Sequence, residues 1–383
     1  MKPRLNIALV SAADPKDRRT WSGSTFFMGS ALERNLGRVD YIGPMSIPGQ
    51  DFKVKLARLT HRITGKRTYP FRTLSAARHY AKVISRRLSE QPCDLIVAPA
   101  ASVEIAYLET DIPIIYISDA TFALMQEVYP IFSSMPPASI EAEQFFERTA
   151  QNRARLILFP SQWAARSAVD DYGTAQDKIR VIPFGANLDR EPDRRAVLGR
   201  KIGAKIKILF LAKEWQRKGG AIALDTLRSL ADMGVAAELT VCGVTPPAGE
   251  THPDMTVVSY LDKNIPGDRE QFERILLASN LLLLPTRTEC YGVVFCEANA
   301  YGLPVFATRV GGIPAIVEDG VNGYLLPVEA QGKDYAERIA KASLSPETYR
   351  ALNRGARERY EKVLNWDSWA QSVGKTIRDT LGF

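Results

Sequence analysis

Pro285-Thr-Arg-Thr-Glu289-Cys-Tyr-Gly-Val-Val-Phe-Cys-Glu297 places two carboxylates around seven residues, between a buried strand and a helix. The strand is Leu281 to Leu284, four consecutive leucines of the kind buried on both faces of a parallel sheet. Gly292 supplies the tight turn, and Val293 to Ala300 reads as the first turns of a helix. A helix that starts after a strand and a glycine presents unpaired backbone N–H groups and suits an anion such as phosphate. Glu289 falls in the loop before that start and Glu297 further along the helix, so each carboxylate can meet a hydroxyl-rich group on one side of the phosphate. That layout fits a nucleotide-sugar.

The alternation of apolar strands and helical patterns continues in both directions, which predicts an α/β chain with doubly wound parallel sheets. Downstream stand Gly302-Leu-Pro-Val-Phe-Ala-Thr-Arg-Val-Gly311-Gly312-Ile-Pro and Asp319-Gly-Val-Asn-Gly-Tyr-Leu-Leu-Pro327. Together with the two-glutamate segment, these runs resemble the signature of the family 4 retaining glycosyltransferases. The likeness extends over most of the chain and is densest between about Lys205 and Pro327. It implies the GT-B fold, two Rossmann-like domains facing a central cleft. It further implies an acceptor-binding domain over 1–187, a nucleotide-sugar-binding domain over 188–365, and a final helix over 366–383 that crosses back to the first. The polar, proline-containing stretch Asn187-Leu-Asp-Arg-Glu-Pro-Asp193 is the linker expected between the halves.

At 383 residues, two domains are the default. Hydrophobic residues at 45% and charged residues at 24% are ordinary for a soluble globular protein. The four cysteines, Cys93, Cys242, Cys290 and Cys296, have no metal-type spacing, and only three histidines are present. Buried free thiols in a reducing cytoplasm are the expectation. The apolar run after Met1 is too brief for a signal peptide and reads as a first strand, and Ile275 to Pro285 is far short of a membrane span. The net charge of +7 is uneven: Asp51 to Glu90 holds eleven Lys and Arg, Lys66 and Arg67 among them, against only those two acids. Such a segment suits a peripheral contact with anionic membrane at the inner face, or is a solvated surface. No nucleic-acid motif accompanies it.

Lys213-Glu-Trp-Gln-Arg-Lys218-Gly219-Gly220 closes a strand and opens a helix, with glycines that let the backbone approach a ligand. Alone, Lys218 or Arg217 reads as a solvated cation. The resemblance implies diphosphate contacts at Lys213 and Lys218, with Lys213 standing where the family usually carries arginine, a point charge in place of a bidentate grip. Loss of a nucleoside diphosphate leaves negative charge that fixed cations and helix N-termini can hold. One unit charge at about 4 Å is worth up to ~4 kcal/mol at an effective dielectric of ~20. Two lysines and the Gly292–Val294 amides therefore suffice for this task, no Asp-x-Asp pair occurs, and metal independence is expected.

Glu297 is the candidate for the ribose hydroxyls. Glu289, with the backbone of Tyr291, Gly292 and Val293, is the candidate for the transferred sugar. Either acid alone also reads as a helix-dipole partner. Gly311 and Gly312 are expected only to shape a turn, Ala315 stands where the family often has glutamate, and Tyr260–Asp262 is the candidate base pocket. In the first half, Gly23 and Ser24 follow the opening strand and are candidate cleft residues, with a serine-capped helix start as the alternative. Asp119 is a candidate for a sugar or acceptor hydroxyl, or else the cap of the next helix. Ser161 reads as a helix cap, and Gly185 falls at the expected hinge.

The resulting expectation is a retaining hexosyltransferase in polysaccharide, glycolipid or glycoside synthesis. It would use a nucleoside-diphosphate sugar, no cofactor and a glycan, lipid-linked or small-molecule acceptor. A non-catalytic sugar-nucleotide-binding protein and a sugar-nucleotide epimerase of the same architecture remain alternatives. A dehydrogenase is disfavoured, since no G-x-G-x-x-G follows either opening strand. Base, sugar and acceptor stay open.

Overall fold

The computed structural model describes residues 4–65 and 68–383. Lys66 and Arg67, counted above in the basic segment, lie outside them, as do Met1, Lys2 and Pro3. The chain separates into two compact units, residues 1–182 with 370–383, and residues 183–369.

In chain order the first unit runs β1 (Leu5–Val10), α1 (Ser24–Asn35), β2 (Gly37–Ile42), α2 (Gln50–Thr64), α3 (Leu74–Glu90), β3 (Leu95–Pro99), α4 (Ser102–Ile105), β4 (Ile114–Ile117), α5 (Phe122–Val128), α6 (Pro130–Ser133), α7 (Pro137–Arg153), β5 (Leu156–Phe159), α8 (Gln162–Asp170) and β6 (Ile179–Val181). Its sheet has the order β2-β1-β3-β4-β5-β6, with every pair parallel. The second unit continues with α9 (Arg194–Leu198), β7 (Ile206–Leu211), α10 (Gly220–Asp232), β8 (Ala237–Cys242), β9 (Met255–Val258), α11 (Pro266–Ala278), β10 (Leu281–Leu284), α12 (Val293–Ala300), β11 (Val305–Thr308), β12 (Gly323–Leu326), α13 (Gly332–Ser343), α14 (Pro346–Lys362) and α15 (Trp366–Leu381), whose residues from Ala370 onward group with the first unit. The second sheet is β12-β11-β10-β7-β8-β9, again parallel throughout.

The central strands are buried along their whole length, Leu95–Pro99, Ile114–Ile117, Leu156–Phe159 and Leu281–Leu284 among them. Continuous apolar runs in the sequence mark these strands, because helices cover both faces of a parallel sheet. Strand order reverses at β1/β3 in the first sheet and at β7/β10 in the second. Crevices beyond the carboxyl ends of strands at such reversals are where open α/β sheets receive ligands.

Several local expectations shift. Helix α3 begins at Leu74, because the Thr73 side chain caps it by accepting from the Ala76 N–H at 3.2 Å. Ser161 does cap α8, accepting from Ala164. Among the helices not foreseen from the sequence are α13, whose start is a Gln331/Asp334 capping box, and α2, which buries none of its residues. Nor is the basic segment uniformly solvated: Arg72 turns inward and grips Glu143 through two bonds of 2.5 and 2.6 Å. The expected linker is likewise tied down, since Asn187 is buried and accepts from the Trp366 indole N–H at 2.8 Å. Among the described residues no helix is long and apolar enough to cross a membrane.

Candidate functional site

β7 and β10 lie side by side, Leu281 paired with Ile208 and Leu282 with Leu209. The segments leaving their carboxyl ends therefore meet, and these are the two that carry the predicted lysines and glutamates. The first loop runs from Ala212 to Gly219. Gly219 (φ +75°) passes so near the second loop that a Cβ would stand 2.0 Å from the Pro285 carbonyl oxygen. Only glycine tolerates both that handedness and that approach. Hydrogen bonds complete the seam: the Arg287 N–H donates to the Arg217 carbonyl at 2.8 Å, and the Arg217 guanidinium donates to the Thr288 carbonyl at 3.1 Å. Arg217 is thus a structural strap.

Lys218 is largely buried and its ammonium pairs with the Glu289 carboxylate, itself nearly buried. Lys213 is exposed, its ammonium 5.0 Å from the centre of the Tyr260 ring. The two lysines accordingly sit in unlike environments, one charge-compensated and one open. Beside the pair, the Thr288 hydroxyl is buried with no hydrogen-bond partner among the described residues.

Gly292 (φ +89°) is the N-cap of α12, and no side chain caps this helix. Its first amides, at half-buried Val293 and Val294, are oriented for an anion. Tyr291 contributes differently from its neighbours: its side chain is buried and its hydroxyl donates to the Phe184 carbonyl at 3.2 Å. What this residue can offer a ligand is backbone. Gly311 (φ +53°) does more than shape the turn after β11, for a Cβ on it would lie 1.8 Å from the Glu289 carbonyl oxygen, and the Gly312 N–H donates to the Cys290 carbonyl at 2.9 Å. Cys290 and Cys296 are buried, and burial pushes the Cys296 thiol far up, so no nucleophilic thiolate forms there.

Glu297 is buried on α12, and its Oε1 accepts from the Lys263 ammonium at 2.6 Å. Burial raises its carboxyl above the usual range, while Lys263 and then Lys213 pull it back. Lys263 also lies 4.2 Å from the Phe272 ring centre. Lys263 follows directly on Asp262, the last residue of the candidate base pocket. A single lysine 34 residues from its partner carries no spacing signal; only the topology joins them.

The structure gathers Lys213, Lys218, Glu289, Gly292, Val293 and Glu297 in the second unit. Gly23, Ser24 and Asp119 belong to the first. There Gly23 (φ +93°) is the N-cap of α1 and makes no side-chain bond, so Ser24, buried at the first helical position, is not a cap. Trp21 (φ 46°) and Ser22 (φ 56°) share the left-handed region just before it, and Ala100 (φ 51°) follows β3. Strained backbone thus flanks the reversal of the first sheet, a placement common at functional loops. The loop after β1 is steadied by Glu104, which accepts from the Ala12 N–H at 2.9 Å. Asp119 does not cap α5; Thr121 does, accepting from Leu124. Among the described residues no group of three or more His, Cys, Asp or Glu side chains is arranged to hold a metal ion.

The family description "Glycosyltransferase Family 4" matches residues 26–190, and "Glycosyl transferases group 1" matches residues 200–359. The chain belongs to the family 4 glycosyltransferases. It is 29% identical to a D-inositol 3-phosphate glycosyltransferase of Saccharomonospora viridis over 53% of this chain and 49% of that protein. The chain spans about half to three fifths of the length of the curated relatives it matches. Among solved structures, the sucrose-phosphate synthase of Thermosynechococcus elongatus superposes with a TM-score of 0.70 at 18% identity, covering 99% of this chain and all (100%) of that one. HepE of Anabaena, solved with UDP and glucose, gives 0.67 at 16% identity over 98% and 100% of the two chains. These likenesses establish the fold, two Rossmann-like parallel-sheet domains of the GT-B type.

Proposed function

We propose that this family 4 chain transfers a hexose from a nucleoside-diphosphate sugar to an acceptor hydroxyl, with retention at the anomeric carbon. The observation that carries the reading is the convergence of Lys218, Glu289 and the uncapped start of α12 at the β7/β10 reversal. UDP and glucose in the HepE structure are donor components of the matching chemistry.

Lys218 and the Val293 and Val294 amides would face the diphosphate, with Lys213 as a second, exposed cation. When the anomeric C–O bond breaks, the electron pair stays with the leaving diphosphate, and these fixed charges stabilise it more than they do the intact donor. The acceptor oxygen bonds to the anomeric carbon on the face the diphosphate leaves, and a diphosphate oxygen takes the acceptor's proton. No separate base is then required. Glu289 would orient sugar hydroxyls, with its charge kept in place by Lys218, and Glu297 would accept from the ribose hydroxyls. Gly23, Ser24 and Asp119 would serve the acceptor side. Acceptors in polysaccharide, glycolipid or glycoside synthesis all fit, and a peripheral contact of the 51–90 segment with anionic membrane at the cytoplasmic face belongs to the same reading.

The test is a thermal-shift panel of UDP, GDP, ADP and TDP with their common sugars. Ligand at ~100 times its dissociation constant adds ~2.7 kcal/mol to the folded state. One base series should stabilise the protein, and Lys218→Ala should abolish the shift. An unchanged shift in that variant removes Lys218 from the site. Products formed from donor alone would indicate an epimerase.

A further inference from the structure

Helix α2 is folded with its oily side outward. Phe52, Leu56, Leu59 and Ile63 fall at i, i+4, i+7 and i+11, one narrow stripe on an α-helix, and they are 72%, 52%, 52% and 75% exposed. The face turned toward the body of the first unit is instead Lys53, Val54, Ala57, Thr60 and His61, each half-buried. A helix stabilised by packing on its own domain shows the reverse arrangement. Lys55, Arg58 and Arg62, all exposed, run along one border of the apolar stripe and have no acidic partner among the described residues.

We infer that α2 is an in-plane membrane helix, with Phe52, Leu56, Leu59 and Ile63 seated among the acyl chains of an anionic lipid surface. Lys55, Arg58 and Arg62 would then lie at the level of the headgroups. An outward apolar stripe edged by cations is the pattern of helices that lie in a bilayer interface. The charge selects lipid over the other obvious cover, a second copy of this chain. An antiparallel self-complementary pairing would bring the cationic border of one α2 toward that of the other, whereas anionic headgroups neutralise it. Each cation near such a surface contributes roughly a fivefold gain in binding. The inference narrows the membrane contact proposed above for the 51–90 segment to one helix and its apolar stripe, and its test stands apart from the donor reading, since binding is measured without any nucleotide.

The full chain is sedimented with phosphatidylglycerol-containing vesicles and with pure phosphatidylcholine vesicles, at low and at high salt. Binding should require the anionic lipid and weaken with salt. Replacing all four stripe residues together (Phe52→Ser, Leu56→Ser, Leu59→Ser, Ile63→Ser) should weaken it at least about tenfold, with the thermal midpoint retained because α2 buries none of its residues. Should that combination fail to fold, Ile63→Trp supplies an independent readout, its emission shifting to the blue on anionic vesicles. Absence of binding to anionic vesicles at low salt would overturn the inference, as would Ile63→Trp emission that vesicles leave unmoved. Self-association of the wild type that the four serines abolish would assign the face to a second copy instead.

Discussion

The Gly311 backbone runs against the Glu289 carbonyl so closely that a Cβ at 311 would stand 1.8 Å from its oxygen. The glycine-rich turn after β11 and the acid-bearing loop after β10 are therefore one construction. Gly311→Ala must move one of them, and a misplacement of ~1 Å at a reacting group costs on the order of a hundredfold in rate. Gly320, also left-handed at φ +77° but with open space where its Cβ would go, is the control. Both alanine variants should lose roughly 1–2 kcal/mol to backbone handedness. Only Gly311→Ala should also lose nucleotide-sugar binding and transfer, and equal activity in the two variants would separate Gly311 from the site.

Lys263 holds the buried Glu297 carboxyl below where burial alone would push it. Lys263→Met keeps the bulk of the stem and removes the charge. The Glu297 pKa should then rise further, and if Glu297 meets the donor as a carboxylate, the acid limb of kcat/KM moves to higher pH. A pH–rate profile over the acid range decides it. An acid limb left in place would show that Lys263 does not set the charge on Glu297.

If the lysines and α12 amides meet the diphosphate as proposed, transfer needs no divalent ion. Rates measured in EDTA should match those in magnesium-containing buffer within about twofold, a difference far below what losing a catalytic cation costs. A rate that collapses in chelator and recovers on adding back a divalent ion refutes this.

Glu147, in the first unit, gives a stability signature apart from the donor loops. Burial raises its carboxyl from 4.5 to about 7, opposed by Gln151, Tyr116 and Arg72 and assisted by Glu143. Tyr116 donates to it at 3.0 Å and Gln151 at 2.8 Å. Between those two pH values the folded chain keeps a proton that the unfolded chain has released. Stability should accordingly fall as pH rises from about 4.5 to 7 and show no further loss from this group above that, a span of roughly 3 kcal/mol. Glu147→Gln should flatten that slope in urea titrations run across the window. A slope identical to the wild type would mean that Glu147 is ionised throughout.

Much of this was readable in residues alone. Leu281–Leu284 is a strand with the bounds its apolar run suggested, because burial on both faces leaves no polar residue to blur the ends. The glycines at 219 and 292 announced the loops whose close approaches they permit. What sequence could not give was side-chain partnership across distance. The two-lysine grip resolves into Lys218 held by Glu289 and Lys213 lying over Tyr260, and Lys263 enters through a fold contact with Glu297. Helix α2 escaped for a physical reason as well. Its residues spread over a basic stretch without a buried face, so charge rather than periodicity dominated the reading.

Between Lys213 and Lys218 lies Trp215, 5% exposed, with its indole N–H donating to Glu250 at 3.1 Å. Its ring is pressed against Gly220 at the start of α10, where a Cβ would come within 2.1 Å of it, and it sits edge-on to Phe210 at 5.5 Å. An indole locked in so dry a setting fluoresces at short wavelength and has almost no freedom to adjust. The chain has five tryptophans, so the difference in emission between wild type and Trp215→Phe isolates this loop's own response to added nucleotide.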